Sequence, residues 1–137
     1  MPRALLLQGT VVKDILLIFF GAGCGGVLRF WISSATYYLF ARAQFPSGTL
    51  MVNVSGSLLM GLLFTLLLDR VPADASHLRA LLLIGLLGGY TTFSSFSIET
   101  VNLFESGALA SGFLNIILSV ILCLLATWLG IKLGRLL

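Results

Sequence analysis

Charge is what this chain has least of. Eight Lys and Arg and five Asp and Glu make up only 9 % of its 137 residues, against about 25 % in a typical soluble domain. One histidine and two cysteines leave no Cys/His metal spacing and no disulfide framework. Both cysteines, Cys24 and Cys123, fall in long apolar runs and read as small packing residues. No nucleophile–base pair, phosphate loop or Arg-rich helix is present, so the sequence reads as neither an enzyme nor a voltage sensor. The basic residues are scattered and never interleave with aromatics, which argues against a nucleic-acid partner despite the net charge of +3. Apolar types make up 58 % of the chain and the mean hydropathy is +1.09. What these absences leave is an integral membrane protein.

The charges that do occur mark out the spans. Ala43–Leu68 and Ser106–Ile131 are uncharged runs of 26 residues each, and Ala80–Ile98 is one of 19. A fourth segment, Ile15–Ala41, holds Arg29 alone. A spanning helix needs roughly 20 apolar residues. The pattern therefore predicts an all-α fold, a single four-helix transmembrane domain over residues 1–137, with no extramembrane domain. Expected spans run from about Ile15 to Phe40, Gly48 to Leu68, Ala80 to Leu103 and Ala108 to Ile131. The mildly basic start, Met1–Lys13, precedes an apolar stretch as in a signal peptide. No small-residue cleavage site follows, so it reads as part of a retained first span. The Ala41–Pro46 link carries Arg42, and the Asp69–Arg79 loop carries Pro72, a helix N-cap at Asp74 or Ser76, and His77, a loop histidine with no ligand partner. A tight link is expected around Glu105–Gly107.

Four spans put both termini and the Asp69–Arg79 loop on one side. Arg3, Lys13, Arg70, Arg79, Lys132 and Arg135 fall there, and Arg42, with Arg29 if it snorkels outward, on the other. The positive-inside rule then favours cytoplasmic termini. Trp31, Tyr37, Tyr38 and Phe40 would form an outer aromatic belt, and Trp128 part of an inner one. Glycines four apart (Gly21/Gly25, Gly85/Gly89, Gly130/Gly134) and the Ser57/Gly61 pair predict close helix packing in lipid.

Intramembrane polar groups are costly and are functional candidates by default. The densest cluster, Gly88-Gly89-Tyr90-Thr91-Thr92-Phe93-Ser94-Ser95-Phe96-Ser97-Ile98-Glu99, lies in the third span. Glycine, threonine and serine all weaken a helix interior, and this run begins about 12 Å into the span at 1.5 Å per residue. It predicts a third helix broken near the midplane, its first half ending near Gly88 and its second starting near Thr91–Thr92. Such a break exposes carbonyls suited to a cation and N–H groups suited to an anion. The alternative is a kinked but closed helix held by its own hydroxyls. Phe93 and Phe96 share a face; they either pack or turn their positive ring edges to an anion. Asn53 either donates to an anion or bonds across helices. Asn115 and Ser119 form a polar stripe on the fourth span. Arg29 either draws anions into a vestibule or pairs with a carboxylate such as Glu99, itself at the far end of the third span.

The Gly-rich first span ending in Arg29, the string Gly48-Thr49-x-x-x-Asn53-x-x-Gly56, and the third-span string through Glu99 together resemble the Fluc (CrcB) family of fluoride channels. The resemblance covers all four spans, and the third-span string is its most specific part. It implies an antiparallel homodimer with two fluoride pores in the bacterial inner membrane. It also implies a central structural Na⁺ held by the main-chain carbonyls of Gly88 and Thr91. Phe93 and Phe96 would match the aromatic pair whose edges contact fluoride, and Asn53 the pore amide. Thr49, Glu99, Asn115 and Ser119 would fall on the polar track, with Ser97 flanking the aromatic pair. The Lys/Arg asymmetry sits badly with subunits that insert both ways.

A small proton-coupled multidrug exporter is the main rival, also compact and four-spanning. That class resembles a chain with a carboxylate within its first span, where this one carries Arg29. A non-transporting assembly subunit would need no polar track through three spans.

Overall fold

A computed structural model describes residues 2–39, 45–69 and 76–137, with side chains described from residue 11 and up to residue 68 in the second helix. Phe40, Arg42, Arg70, Pro72 and Asp74, which figure in the expectations above, lie outside the described residues.

The described residues are helical almost throughout, with four stretches long and apolar enough to cross a membrane. Helix α1 runs Pro2–Leu39 and α2 runs Ser47–Asp69. The third span is composite: α3 (Ser76–Arg79), a π-helical stretch (Ala80–Leu87), α4 (Gly88–Tyr90) and, after a break, α5 (Phe93–Glu105). Helix α6 runs Leu109–Leu136 unbroken. The first helix begins well before the expected span because Pro2 suits a first helical position and Ala4, Leu5, Leu6, Leu7 and Gln8 favour helix. His77 lies in α3 rather than in a loop, and its Nδ1 is 2.6 Å from Asp14 Oδ1, tying α1 to the start of the third span.

Two seams hold the bundle. Helix α2 packs along α6, and α1 packs along the π stretch and α4. Glycine makes both possible by letting backbones touch. A Cβ on Gly85 would come 3.1 Å from the Cα of Gly21. One on Gly25 would strike the Leu86 carbonyl, and one on Gly89 the Ala22 carbonyl. On the other seam, a Cβ on Gly61 would strike the Thr127 carbonyl and one on Gly130 the Leu58 carbonyl. The spaced glycines therefore do the packing work that their spacing predicted. The core between the seams is small, centred on Val52, Leu87 and Tyr90. Much of the apolar surface points outward, including Phe19, Phe30 and Leu124, as a lipid-facing bundle requires. Trp31, Tyr37, Tyr38 and Trp128 are exposed as well, where the aromatic belts were expected.

The link between α5 and α6 is tight. Ala108 N–H bonds to Leu103 O at 2.9 Å and Gly107 N–H to Phe104 O at 3.0 Å, with Gly107 at φ +79°. This is a Schellman closure, and its left-handed position favours glycine.

Candidate functional site

The third span breaks at two threonines, not at its glycines. Thr91 (φ −78°, ψ 155°) and Thr92 (φ −151°, ψ 118°) are extended, whereas Gly88 and Gly89 continue the helix as far as Tyr90. The sequence placed the first half's end near Gly88; the structure moves it to Tyr90. The physical reason is packing, because Gly89 lies against the backbone of Ala22, where a helical turn fits. Both broken residues are β-branched, a type at ease in extended backbone.

What sustains the break is side-chain replacement of backbone partners. Asn53 on α2 makes two bonds to one residue: its Nδ2 donates to Thr92 O at 2.9 Å, and its Oδ1 accepts from Thr92 N–H at 2.8 Å. The Thr92 hydroxyl accepts from Ser95 N–H at 3.2 Å and so caps the start of α5. On the other flank Thr91 N–H and its hydroxyl both donate to Leu87 O, at 3.0 and 2.9 Å. Tyr90 is buried with its hydroxyl 2.8 Å from Ser55 Oγ. Gly56 lets this cluster reach α2, since a Cβ there would strike the Thr91 methyl. The motif around Asn53 is thus a lock for the break, with Asn53 as the bolt and Gly56 as the clearance.

The break leaves the carbonyls of Gly88, Gly89, Tyr90 and Thr91 without the donors that an unbroken helix would give them. In an unbroken helix Thr92 N–H would close on Gly88 O and Ser95 N–H on Thr91 O. Here the first goes to Asn53 and the second to the Thr92 hydroxyl. Gly88 and Thr91 therefore present main-chain oxygens without their helical donors. These are neutral oxygen ligands of the kind a hard monovalent cation takes, and no cluster of acidic or metal-ligating side chains stands near them among the described residues.

Beside the break lies a cavity of about 430 Å³ whose wall includes Asn53, Thr91, Thr92, Phe93, Phe96 and Ser119. Its further wall adds Ser57, Met60, Cys123 and Thr127. Phe93 and Phe96 stand side by side, ring centroids 5.3 Å apart and planes at 49°. Phe93 is 78 % exposed, so its ring is not packed inside the single-chain bundle. The first turn of α5 points its positive end at this region. Asn53 retains one amide hydrogen after serving Thr92 O.

The remaining candidates divide. Thr49 donates to Glu99 Oε1 at 2.6 Å, joining α2 to α5. Glu99 lines a second cavity of about 400 Å³ with Pro46, Asn102, Leu103 and Ser106. Asn115 is 1 % exposed, and its Nδ2 donates to Thr100 Oγ1 at 2.9 Å, so it braces α6 against α5 behind the cavity wall rather than in it. Ser119, one turn along, is in the wall. Ser97 donates to Phe93 O at 2.9 Å. Arg29 is half-buried on α1 and makes no ion pair with Glu99; the one contact within ion-pair distance among the described residues is Asp14–His77. Gly88 lies outside the cavity, exposed on the face of α4.

Sequence reasoning missed the Thr92 cap, the Tyr90–Ser55 bond and the Thr100 relay. The cap was legible in principle, since Thr92-Phe93-Ser94-Ser95 before a helical run is an N-terminal signal. The other two depend on helix azimuths that no local pattern carries.

The family model described as CrcB-like protein, Camphor Resistance (CrcB), matches residues 16–131. A protein of Coxiella burnetii named fluoride-specific ion channel FluC is 55 % identical over 122 residues, 89 % of this chain and 98 % of the relative. A protein of the same name from Methylococcus capsulatus is 49 % identical over 122 residues, 89 % of this chain and 53 % of its own length. One from Magnetococcus marinus is 46 % identical over 123 residues, 90 % of this chain and 98 % of the relative.

Proposed function

The chain belongs to the CrcB family, and from that premise we propose that it is a passive, fluoride-selective channel whose path runs past the break in the third span. The observation that carries this reading is the juxtaposition at the cavity. An amide with a spare donor (Asn53), the aromatic pair Phe93 and Phe96, and the Ser119 hydroxyl line one wall, beside the positive end of a half-helix. Fluoride is small and strongly hydrated, so a narrow path must replace its water with donors. Ring edges and neutral N–H and O–H groups do so without a fixed cation that would trap the ion. Thr49, Ser97, Glu99 and Asn115 belong to the wider polar track; Asn115 acts in it by bracing α6, and Glu99 opens on the second cavity.

The working unit in this proposal is an antiparallel homodimer with two pores, spanning the bacterial inner membrane several times. In support, broken backbone at membrane depth needs protein or water over it, and Phe93 and Gly88 are exposed in the single chain. A second copy would cover them. The carbonyls of Gly88 and Thr91 from both copies would then hold a structural Na⁺ at the dimer centre, which would fix the two breaks against each other. A proton-coupled drug exporter gains nothing from this geometry. Among the described residues the one acid in this polar network is Glu99, at the far end of the third span, where its Oε1 accepts from Thr49.

Ion efflux from liposomes holding the purified protein tests the proposal. Fluoride is expected to leave rapidly through a valinomycin-balanced membrane while chloride is retained. Chloride leaving at a comparable rate would defeat the selectivity claim.

A further inference from the structure

The cavity wall continues beyond Ser119 along one stripe of α6. Ser119, Cys123 and Thr127 follow at intervals of four residues, so they stack on a single face, and all three line the cavity. Ser119 is 9 % exposed, and its hydroxyl enters none of the side-chain hydrogen bonds among the described residues, so the group it faces is the cavity. Across from this stripe stand Ser57 and Met60 of α2. The Ser119 hydroxyl is left open to this space, and about 430 Å³ exceeds the roughly 30 Å³ share of one water many times over. Cys123, between Ser119 and Thr127, lies on the same wall. Cys24, the other cysteine, is exposed on α1 and does not line this cavity.

We propose that Cys123 is a modification site inside the anion path, open to small, water-borne, thiol-directed electrophiles, and that a group attached there blocks conduction. The inference rests on reading this cavity as part of the fluoride path. With an anionic methanethiosulfonate such as the 2-sulfonatoethyl reagent, the Cys123 thiolate attacks the sulfenyl sulfur. A disulfide forms between Cys123 Sγ and the sulfonatoethylthio group, methanesulfinate leaves with the electron pair of the broken S–S bond, and the thiol proton passes to water. The product fills part of the cavity and sets a fixed negative charge beside Ser119, where an approaching anion is both obstructed and repelled.

The test uses the full-length protein in liposomes, with the sulfonatoethyl reagent on both sides of the membrane. Adduct position is read by mass spectrometry and conduction by fluoride efflux. The expected result is one adduct at Cys123 in the wild type and in Cys24→Ser, at least a tenfold slowing of efflux in both, and recovery on reduction with dithiothreitol. Cys123→Ser is expected to run at the same rate with and without the reagent. No adduct at Cys123 in a protein whose untreated fluoride efflux is intact would overturn the proposal. So would an adduct without slowing, or equal slowing in Cys123→Ser. Absence of fluoride efflux before any reagent is added would instead defeat the channel reading beneath it. Adduct mapping needs no substitution and remains informative if Cys123→Ser fails to fold.

Discussion

The third span and helix α6 cross the same bundle, are both rich in glycine, and end differently. Helix α6 carries Gly112, Gly130 and Gly134 and runs without interruption for 28 residues. The third span carries Gly85, Gly88 and Gly89, continues through all three, and opens only at Thr91–Thr92. Glycine therefore sets how closely these helices approach, and does not break them. The difference lies in what faces each helix. Opposite α6, the backbone of α2 offers close contact at Gly61, and among the described residues no α2 side chain bonds to the peptide groups of α6. Opposite the break, Asn53 supplies both a donor and an acceptor to Thr92. A peptide leaves the helical ladder inside a membrane only when such a substitute is waiting, since each orphaned group costs several kcal/mol in hydrocarbon.

The largest effect is expected where the packing half of this comparison is attacked. Gly89→Val pushes a branched side chain into the backbone of Ala22, which cannot rotate away. Overpacking typically costs about 1–3 kcal/mol, and contact with main chain places this case at the upper end. Loss of the monodisperse species on size exclusion in detergent is the expected reading; normal yield would show that α1 and α4 are not held at this distance.

Next in size is Phe96→Ile. Near-isosteric apolar swaps cost under about 1.5 kcal/mol, so expression and oligomer yield should hold. The positive ring edge is lost, however, and fluoride efflux is expected to fall at least tenfold. Efflux at the wild-type rate in both Phe96→Ile and Phe93→Ile would return the pair to a packing role.

Thr92→Val probes the capping hydroxyl, which also bonds to the Ser94 and Ser95 hydroxyls. It keeps the β-branch and the main-chain bonds to Asn53 while removing the hydroxyl that accepts from Ser95 N–H. Losing an N-cap costs about 1 kcal/mol, and a drop of a few degrees in apparent Tm, followed by fluorescence in detergent, is expected. No change would mean that another group satisfies Ser95.

Smallest of all is Gly23→Ala on the open face of α1. A Cβ there meets nothing within 4 Å, and alanine is the better helix former by about 1 kcal/mol. Unchanged or slightly raised Tm is expected, in contrast to Gly25, two residues along, where a Cβ would strike the Leu86 carbonyl. Equal damage at both positions would erase the distinction between seam and lipid face.

The four spans were legible in the sequence because charge is so scarce that uncharged runs alone bound them. So was the break, from five hydroxyl residues in the seven positions 91–97, although the end of its first half was read two residues early, at Gly88 instead of Tyr90. Paired glycines look like helix breakers in a linear reading, whereas their effect here comes from the neighbouring helix. Asn53 was seen with two readings open, and the structure makes the interhelical bond while leaving one amide hydrogen for another partner. Asn115 looked equivalent to Ser119 from their spacing, yet one turn of α6 takes it behind the wall to Thr100. Cys123 read as filler because nothing local marks which residues of a helix border a cavity.

Fluoride and chloride efflux from liposomes carrying Asn53→Asp, run beside wild type, tests the central claim most directly. The carboxylate keeps an acceptor for Thr92 N–H but loses the donor to Thr92 O. It also sets a unit charge in the proposed path, where two such charges about 4 Å apart repel by about 4 kcal/mol at an effective dielectric near 20. The predicted result is fluoride efflux reduced by two orders of magnitude or more, with chloride still retained and circular dichroism still fully helical. A helical Asn53→Asp protein releasing fluoride at the wild-type rate would contradict the account.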